Sequence, residues 1–301
     1  MAIPSLTKID VSSLIPSAST IGEPNRGGQK IVFPCTIGGM KYVAKFMLAE
    51  SSYTGQETAE GIDLADEATA RASREVETMR QCSTQFLVKL GPIPLTKVIF
   101  KGQSIVFFTE EYIEGDDLQN ILTRSGPLSM KELVALGHNC VEAMRVLWSF
   151  HKIHRDVTPR NIMKRASSGE FVLLDFGLAF DFADVSLTSP GMIPGTPAYL
   201  SPERIQYIPK RQIDYRSDFF SLGIVMYQVA TGVHPFMAKE RMSRDEILAK
   251  ILTYDPAPPH KLRSELPEDM SFVLMRLLAK KPHQRYRTFE LLESSLSAIC
   301  L

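Results

Sequence analysis

The sequence has no surplus of charge of either sign and no close pair of cysteines. Lysine plus arginine total 34, and aspartate plus glutamate also total 34. This balance gives no electrostatic reason to expect nucleic acid or an anionic membrane as the main partner. The four cysteines, at positions 35, 82, 140 and 300, form no CxxC pair, so neither a zinc site nor a disulfide framework is indicated and buried, reduced thiols are expected.

Long apolar runs are also missing. No stretch approaches the ~20 apolar residues that a membrane-spanning helix needs. The N-terminus lacks the basic start and apolar core of a signal peptide. We therefore expect a cytoplasmic protein without a membrane span. The 301 residues are 44% hydrophobic and 23% charged, which is typical of a globular protein with one large domain or two smaller ones.

Two stretches stand out by their polar composition. Residues 1–19 are rich in Ser, Pro and Thr, and we expect a flexible tail there. Residues 49–67 are rich in Ser, Gly, Asp and Glu and resemble a surface insertion. Two interpretations of the insertion stay open, because such a segment either docks a partner or remains disordered.

The remaining sequence changes character near residue 115. Before this point, short apolar runs predict β-strands, and two of them flank Gly38-Gly39, which is a hairpin signal. A helical pattern follows the insertion. After this point, long apolar-periodic segments predict helices, one of which is apolar nearly all round and should end at Gly232. Strands first and helices later suggest two lobes in an α+β fold.

Lys45 and Glu75 are candidates for a functional ion pair. Lys45 lies on a predicted strand, where an ammonium group is costly to bury unless it finds an anion. Glu75, in the helix that follows the insertion, could be that anion. Taken one at a time, the two residues also fit a plainer interpretation, in which the lysine reaches water at a strand end and the glutamate is solvated.

A polar loop and a short acidic motif follow in the second part of the chain. The loop 154–161 reads HRDVTPRN, and Pro159 prevents a helix from continuing through it. With Asp156 and Asn161 on one side, such a loop can hold a hydroxyl group and a metal ion together. The motif DFG at 175–177 follows an apolar strand and suits a metal ligand, although this tripeptide alone occurs by chance in many proteins.

In this order, the segments resemble the motif set of the protein kinase superfamily. The loop matches H-R-D-L-x-x-x-N except for Val157, which replaces Leu. The stretch 195–203 (GTPAYLSPE) is similar to the family's GTxxYxxPE segment. Asp218 and Arg285 match the aspartate that anchors the catalytic loop and the arginine that pairs with the final glutamate of that segment. The resemblance covers about residues 20 to 295.

The resemblance implies the fold and domain organisation of this family. We expect the tail at 1–19 to precede a kinase domain at 20–301. Within this domain, a small N-lobe at 20–112 has an antiparallel sheet and one main helix. A hinge at 111–117 leads to a larger, mostly helical C-lobe at 118–301.

The resemblance also implies catalytic roles. Asp156 orients the acceptor hydroxyl and takes its proton late, while Lys45 holds the α- and β-phosphates of ATP and pairs with Glu75. Asn161 and Asp175 hold Mg²⁺, which bridges the phosphates. The implied reaction is transfer of the γ-phosphate of ATP to serine or threonine hydroxyls of proteins.

A wider set of residues is implied in ATP binding. Backbone groups of Glu111 and Ile113 meet the adenine edge, and Asp117 meets the ribose. The loop over the phosphates departs from the family pattern G-x-G-x-x-G-x-V, because its glycines recur without all the required offsets. The full set of expected ATP contacts is Ile21, Gly22, Gly27, Gly28, Val32, Lys45, Glu111, Ile113, Asp117 and Asp175.

Three positions depart from the family pattern near the reaction centre. Thr158 stands where serine/threonine kinases carry a lysine that contacts the γ-phosphate. Arg160 stands where tyrosine kinases often carry an arginine of similar purpose, and we hypothesise that it partly replaces this lysine. Glu110 falls at the position that gates the pocket behind the adenine. It either turns toward a local basic partner or makes that pocket narrower and more polar.

Substrate class and control are also implied by the resemblance. Pro159 and the stretch 195–197 resemble serine/threonine kinases rather than tyrosine kinases. Arg155 beside Asp156 indicates control by phosphorylation in the activation loop, which self-association of two copies would serve. The candidate phosphosites are Ser186, Thr188 and Ser189. The stretch GGQK in the glycine loop resembles bacterial kinases that are related to eukaryotic ones.

Two other functions stay open. One is a pseudokinase that acts as a scaffold and binds nucleotide without efficient transfer, and Thr158 and the irregular glycine loop favour it. The intact set of catalytic residues favours an enzyme instead. The other alternative is a small-molecule kinase on a related fold, against which the stretch 195–203 favours a protein substrate.

Overall fold

The chain divides into two compact units. The computed structural model describes residues 3–27, 30–49, 67–176, 180–181, 195–206, 212–237 and 242–300. Unit 1 comprises residues 1–81 and 88–112, and unit 2 comprises residues 82–87 and 113–301. Most of the insertion expected at 49–67 lies outside the described residues.

Unit 1 contains a six-stranded antiparallel sheet. Its strands are β1 (Ala18–Ile21), β2 (Asn25–Gly27), β3 (Lys30–Ile37), β4 (Met40–Leu48), β5 (Thr96–Phe100) and β6 (Gln103–Glu111). Their order is β1-β3-β4-β6-β5, and β2 pairs with β3. The predicted hairpin is confirmed, because Gly38 and Gly39, with φ of 58° and 81°, form the two-residue turn between β3 and β4.

One face of this sheet carries an apolar core. Ile31 on β3 lies opposite Phe46 on β4, which in turn lies opposite Phe107 on β6. Paired residues point to the same face of a sheet, so these side chains meet. The rings of Phe46 and Phe107 stack with their centroids 5.1 Å apart, and Phe33 meets Phe46 edge-on at 6.0 Å.

The segment before β1 packs on this core, so the prediction of a flexible tail is wrong for the described residues 3–19. Helix α1 (Lys8–Leu14) begins with a capping box, in which Thr7 and Asp10 exchange hydrogen bonds. Three buried apolar side chains, one in the helix and two beside it, join the core of the sheet: Leu6, Val11 and Ile15. The Ser- and Pro-rich composition of the segment concealed these few apolar residues, which suffice to hold it.

An ion pair also ties α1 to the turn between β5 and β6. Lys101 Nζ lies 2.7 Å from Asp10 Oδ1. The hydrogen bond from Lys101, together with that from the backbone of Thr7, lowers the pKa of Asp10 to about 2. The cap of the helix therefore remains ionised at any pH near neutrality.

Helix α2 (Glu67–Gln81) contacts strands β4 and β6 of the same sheet. Ala72, Val76 and Met79 are buried, and their spacing places them on one face of the helix. The helix predicted from this periodicity is confirmed. Its apolar face lies on the side of the sheet that carries Lys45. Phe46, the next residue of β4, points to the opposite side, because neighbouring residues of a strand alternate between the two faces.

Unit 2 is mostly helical, so the predicted α+β fold with its sheet-rich first part is confirmed. Its helices are α3 (Leu118–Ser125), α4 (Met130–Ser149), α5 (Pro202–Ile205), α6 (Arg216–Thr231), α7 (Arg244–Thr253), α8 (Pro259–Leu262), α9 (Glu268–Leu277) and α10 (Phe289–Ser297). Its short strands are β7 (Gly115–Asp117), β8 (Lys152–Ile153), β9 (Ile162–Arg165), β10 (Phe171–Leu173) and β11 (Phe180–Asp181). They form a three-stranded sheet, β10-β9-β7, and the pair β11-β8.

Helix α6 is the centre of unit 2. It is buried nearly all round and contacts α4, α8 and α9. It ends as predicted at Gly232, whose φ of 78° is a left-handed conformation that glycine adopts without strain. Within the described part of the chain, no helix combines the length and the apolar character that crossing a membrane requires.

Three of the four cysteines are buried, in agreement with the sequence analysis. They are Cys35, Cys82 and Cys140. Burial raises the pKa of the Cys140 thiol to about 12. A buried thiol of this kind behaves as a small apolar side chain rather than as a nucleophile.

The contact between α1 and the sheet predicts a difference between two isoleucines of one segment. Ile15 is 1% exposed and Ile9 is 78% exposed. Ile15→Ala should lower the free energy of unfolding by about 2–4 kcal/mol, because it removes buried methyl groups and leaves a cavity. Ile9→Ala, the matched control, should change it by less than about 0.5 kcal/mol. Urea denaturation measures both, and equal effects would show that the segment is not packed.

Candidate active site

Lys45 contacts two buried carboxylates in unit 1. It lies opposite Phe108 in the pairing of β4 with β6, and Glu110 is two residues further along β6, on the same face. Lys45 Nζ lies 2.6 Å from Glu75 Oε1 and 2.7 Å from Glu110 Oε2. All three side chains are at most 6% exposed. The structure thus brings together the expected pair and adds Glu110 to it.

Helix α2 carries Glu75 to this contact. The buried residues Ala72, Val76 and Met79 fix the apolar face of α2 against the sheet. Glu75 lies one position before Val76 and one turn after Ala72, so it belongs to the same face. A carboxylate placed there is removed from water and needs a cation, which Lys45 provides.

Two carboxylates share the positive charge of Lys45. Because both carboxylates contact one Nζ, two negative charges lie within about 5 Å, and their repulsion is roughly 3 kcal/mol at an effective dielectric constant of about 20. Attraction of each to the ammonium group is roughly 6 kcal/mol on the same scale. Burial raises the pKa of Glu110, the charge of Glu75 raises it further, and Lys45 opposes both. Glu110 therefore does turn toward a basic partner.

The loop 154–161 is anchored in unit 2 by Asp218, in the first turn of α6. The backbone N–H groups of His154 and Arg155 donate to the two oxygens of Asp218, at 2.6 Å and 2.9 Å. Arg155 has a φ of 70°, a left-handed conformation that costs free energy for a residue with a side chain. The two hydrogen bonds hold the backbone in this conformation.

Arg204 holds the same turn from its other side. Its Nη1 donates to the carbonyl oxygen of Arg155 at 2.5 Å, and the side chain is buried. Sequence reasoning missed this contact, because a charged residue after Glu203 in a short helix is usually exposed. No pattern in the sequence distinguishes it from a surface arginine.

Asp156 is oriented by hydrogen bonds to both of its carboxylate oxygens. Oδ1 accepts from the backbone N–H of Thr196 at 3.0 Å and from its hydroxyl at 2.9 Å. Oδ2 accepts from Nδ2 of Asn161 at 2.9 Å. The backbone N–H of Asp156 donates to Nδ1 of His154 at 3.2 Å. Asp156 is thus held in one orientation by hydrogen bonds from neutral donors.

Asn161 and Asp175 offer oxygen atoms that suit a magnesium ion. Nδ2 of Asn161 donates to the carbonyl and to Oδ2 of Asp156, both at 2.9 Å, which turns its Oδ1 the other way. The backbone N–H of Leu174 donates to the carbonyl of Asn161 at 2.8 Å, and Asp175 follows directly. A carboxylate and an amide oxygen on adjacent chain segments are ligands that Mg²⁺ prefers, so this donor set fits the ion.

His154 and Phe176 lock the segment that carries Asp175. Nε2 of His154 lies 2.9 Å from the carbonyl oxygen of Leu174. The rings of His154 and Phe176 meet edge-on with centroids 5.5 Å apart, and both side chains are fully buried. Asp175 has a φ of 66°, so the backbone between these contacts is strained. Gly177 lies outside the described residues.

Thr158 and Arg160 differ in exposure. Thr158 is buried, whereas Arg160 is exposed. Arg160 lies near Tyr199 of the stretch 195–203: burial raises the pKa of Tyr199 to about 12, against the smaller opposing effects of Gln228 and Arg160. Of the two departures from the family pattern in this loop, only Arg160 has a charged group available at the surface.

Several expected ATP contacts lie on the first strands of unit 1. Val32 pairs with Lys45 across β3 and β4, so both point to the same face of the sheet. Gly28 lies outside the described residues. The other members of this group are Ile21 at the end of β1, Gly22 directly after it, and Gly27 at the end of β2.

The residues expected at the adenine and the ribose lie near the division of the two units. The backbone N–H of Glu111, the last residue of β6, donates to the carbonyl of Lys89 at 2.8 Å. Ile113 is buried. Asp117 caps α3, and its two oxygens accept from the backbone N–H and Nδ2 of Asn120, both at 2.8 Å. A ribose contact would share a carboxylate that already caps a helix.

Glu203 and Arg285 form a buried pair with two hydrogen bonds. Nη1 and Nη2 of Arg285 donate to the two oxygens of Glu203 at 2.7 Å and 2.8 Å. Arg285 is 0% exposed. The pair fixes the end of the stretch that also supplies Thr196 to Asp156.

Comparison with known families and proteins agrees with these observations. The family model described as protein kinase domain matches residues 32–297. The serine/threonine-protein kinase pkn3 of Myxococcus xanthus is 35% identical over 203 residues, which are 64% of this chain and 36% of that protein. The expected similarity to bacterial kinases is confirmed by this and the following relatives.

Two mycobacterial proteins are similar to the same extent. The serine/threonine-protein kinase PknB of Mycobacterium tuberculosis is 35% identical over 184 residues, 60% of this chain and 28% of that protein. PknB of Mycobacterium leprae is 33% identical over 183 residues, with the same shares. The chain matches about a third of the length of these curated relatives.

The buried pair of Glu203 and Arg285 predicts a large effect on stability. Arg285→Met should lower the free energy of unfolding by about 3–5 kcal/mol, because it leaves the Glu203 carboxylate buried without a cation. Arg124→Met is the matched control, since Arg124 and its partner Asp116 are 66% and 47% exposed. It should cost less than about 1 kcal/mol.

Guanidinium denaturation measures both changes. Adding Glu203→Leu to Arg285→Met should restore part of the lost stability, because the unpaired charge is then removed. A cost for Arg285→Met as small as that for Arg124→Met would contradict the assignment.

Proposed function

The chain belongs to the protein kinase family, and we propose that it transfers the γ-phosphate of ATP to serine or threonine hydroxyls of proteins, with Asp156 as the catalytic carboxylate. The observation that carries this proposal is the orientation of Asp156. Thr196 binds one of its oxygens and Asn161 binds the other. A carboxylate held in this way can align an acceptor hydroxyl and accept its proton as the phosphoryl group transfers.

The phosphates and the metal ion would be held by a small set of charged and amide groups. Lys45, oriented by Glu75, would contact the α- and β-phosphates. Oδ1 of Asn161 and the carboxylate of Asp175 would hold Mg²⁺. When bound, this ion neutralises negative charge on the phosphates. The protein's own part is to position these groups before the reaction begins.

The rest of the nucleotide would be bound by backbone and apolar groups. The carbonyl of Glu111 and the backbone N–H of Ile113 would meet the adenine edge, and Asp117 would meet the ribose. The remaining contacts that we propose are Ile21, Gly22, Gly27, Gly28 and Val32.

Control by phosphorylation remains a proposal. The candidates Ser186, Thr188 and Ser189 lie outside the described residues. Arg155, next to Asp156, supports the idea, since an arginine beside the catalytic carboxylate can bind a phosphate that orders the activation loop. One copy of the chain phosphorylating another would be a route to this modification.

A scaffold that binds nucleotide without transfer is the second candidate function. The buried hydroxyl of Thr158 favours it, because this position supplies no cation to the γ-phosphate. The oriented carboxylate of Asp156 favours catalysis, since a scaffold has no use for that orientation.

Asp156→Asn tests the proposed function. We expect the variant to bind Mg-ATP as the wild type does and to transfer phosphate to a generic protein substrate about 10²- to 10⁴-fold more slowly, because the proton acceptor is lost. Asp269→Asn, an exposed residue in the first turn of α9, is the matched control and should be fully active. Labelled ATP measures the transfer. Binding without transfer by the wild type would support the scaffold, and ATP consumption only with a metabolite would support a small-molecule kinase.

Arg160→Ala tests whether this residue replaces the missing lysine. We expect kcat to fall by about 10- to 100-fold, because the variant lacks the positive charge that would stabilise the γ-phosphate in the transition state. KM for ATP should stay nearly the same, since the α- and β-phosphates keep their contacts. Arg160→Lys should restore part of the rate. Unchanged turnover in Arg160→Ala would refute the role.

A further inference from the structure

We propose that Glu110 competes with the phosphates of the nucleotide for Lys45, so that nucleotide binding is accompanied by proton uptake at Glu110. This inference rests on the proposed function, because it requires that the chain binds ATP through Lys45. It assigns to Glu110 a positioning role that determines nucleotide affinity and its dependence on pH.

The buried side chains of Glu75, Lys45 and Glu110 form one cluster. Glu110 reaches Lys45 along the diagonal of the paired strands β4 and β6, and its Oε2 lies 2.7 Å from Nζ. Glu75 Oε1 lies 2.6 Å from the same atom. The single positive charge of the ammonium group is thus already shared by two carboxylates, and a phosphate that binds Lys45 has to compete with them for it.

Glu110 has less support from hydrogen bonds than Glu75. Oε1 of Glu75 accepts a well-aligned hydrogen bond from Nζ of Lys45. Oε2 of Glu110 is buried and lies 2.7 Å from the same Nζ, but within the described part of the chain this contact is less well aligned for a hydrogen bond. Glu110 is therefore the carboxylate that a phosphate would displace.

In the described part of the chain, charged groups on three neighbouring elements act on Glu110. Strand β4 contributes Lys45, helix α2 contributes Glu75, and β3 contributes the more weakly acting Lys30. Burial raises the pKa of Glu110, and the charge of Glu75 raises it further. The two lysines, chiefly Lys45, are the groups that favour the ionised form of Glu110.

A bound nucleotide changes this balance in one direction. Its phosphates attract Lys45 away from Glu110 and add negative charge nearby, and both effects favour the protonated form of Glu110. The carboxylate takes one proton from the solvent and becomes a neutral acid. Since the bound state holds more protons than the free state, affinity should rise as the pH falls through the range in which Glu110 titrates.

Isothermal titration calorimetry with Mg-ADP tests the proposal. Mg-ADP carries the α- and β-phosphates but has no group to transfer. Titrations in PIPES and in imidazole, which differ in heat of ionisation, measure the number of protons taken up. Proton uptake should be larger for the wild type than for Glu110→Gln, and the difference removes the titration of the nucleotide itself.

The affinity for Mg-ADP gives a second readout. Wild-type affinity should fall by about 3- to 10-fold per pH unit as Glu110 ionises, and the dependence should be weaker in Glu110→Gln. At the alkaline end, Glu110→Gln should bind more tightly than the wild type, because Lys45 has lost a competing anion. Glu77→Gln, an exposed glutamate on the same helix as Glu75, is the matched control and should behave as the wild type.

The outcomes separate this inference from the proposed function. Equal proton uptake and equal affinity in the wild type and Glu110→Gln would overturn the inference alone. Absence of Mg-ADP binding by the folded wild type would overturn both. If Glu110→Gln does not fold, Glu110→Met replaces the carboxylate by an apolar side chain of similar length and gives the same comparison.

Discussion

Asp218 accepts hydrogen bonds from two successive backbone N–H groups of the loop 154–161, those of His154 and Arg155. The carboxylate is buried at the start of α6, and burial raises its pKa, against the effects of His154, the two backbone donors and Arg204. A charge in such a place needs all of these contacts, because each lost donor leaves it less compensated. The loop therefore cannot shift without a large cost in free energy, and Asp156 follows directly in the chain.

The same constraint extends to the stretch 195–203. The carbonyl of Arg155 points toward Gly195, where a Cβ atom would lie 3.0 Å from that oxygen, and Gly195 has a φ of 108°. Glycine is thus needed for both its small size and its conformation. This close approach brings the two donors of Thr196 within 3.0 Å of Asp156. The orientation of Asp156 therefore depends on the buried carboxylate of Asp218 and on the small size and conformation of Gly195.

Much of the fold and part of the site could be predicted, wherever a local pattern carries the information. The turn at Gly38-Gly39 and the end of α6 at Gly232 follow from the backbone freedom of glycine. The approach of Lys45 to Glu75 was expected because an ammonium group on a buried strand needs an anion and because the resemblance to protein kinases implies Glu75 as that anion. Helix α1 was missed, because the buried apolar residues in and beside it, Leu6, Val11 and Ile15, are too few to outweigh the polar composition of the segment.

Contacts that depend on strand register or on distant packing were not predictable in this way. Glu110 reaches Lys45 only because β4 and β6 pair with Lys45 opposite Phe108, and a shift by one residue would turn Glu110 to the other face. Arg204 is buried only because α5 packs in unit 2 beside the loop 154–161. The two residues of each contact are far apart in the chain, so no local stretch of sequence contains both.

Asp218 and Glu110 show how two buried carboxylates of one chain can serve opposite purposes. Asp218 is held by backbone donors that cannot move apart from the chain itself, so its contacts fix the loop. Glu110 depends on the flexible end of a lysine side chain that also binds Glu75. A backbone N–H group is fixed in the chain and keeps its acceptor, whereas the ammonium group of a flexible side chain can exchange one anion for another. Buried charge therefore makes the loop around Asp156 rigid and leaves the surroundings of Lys45 adjustable.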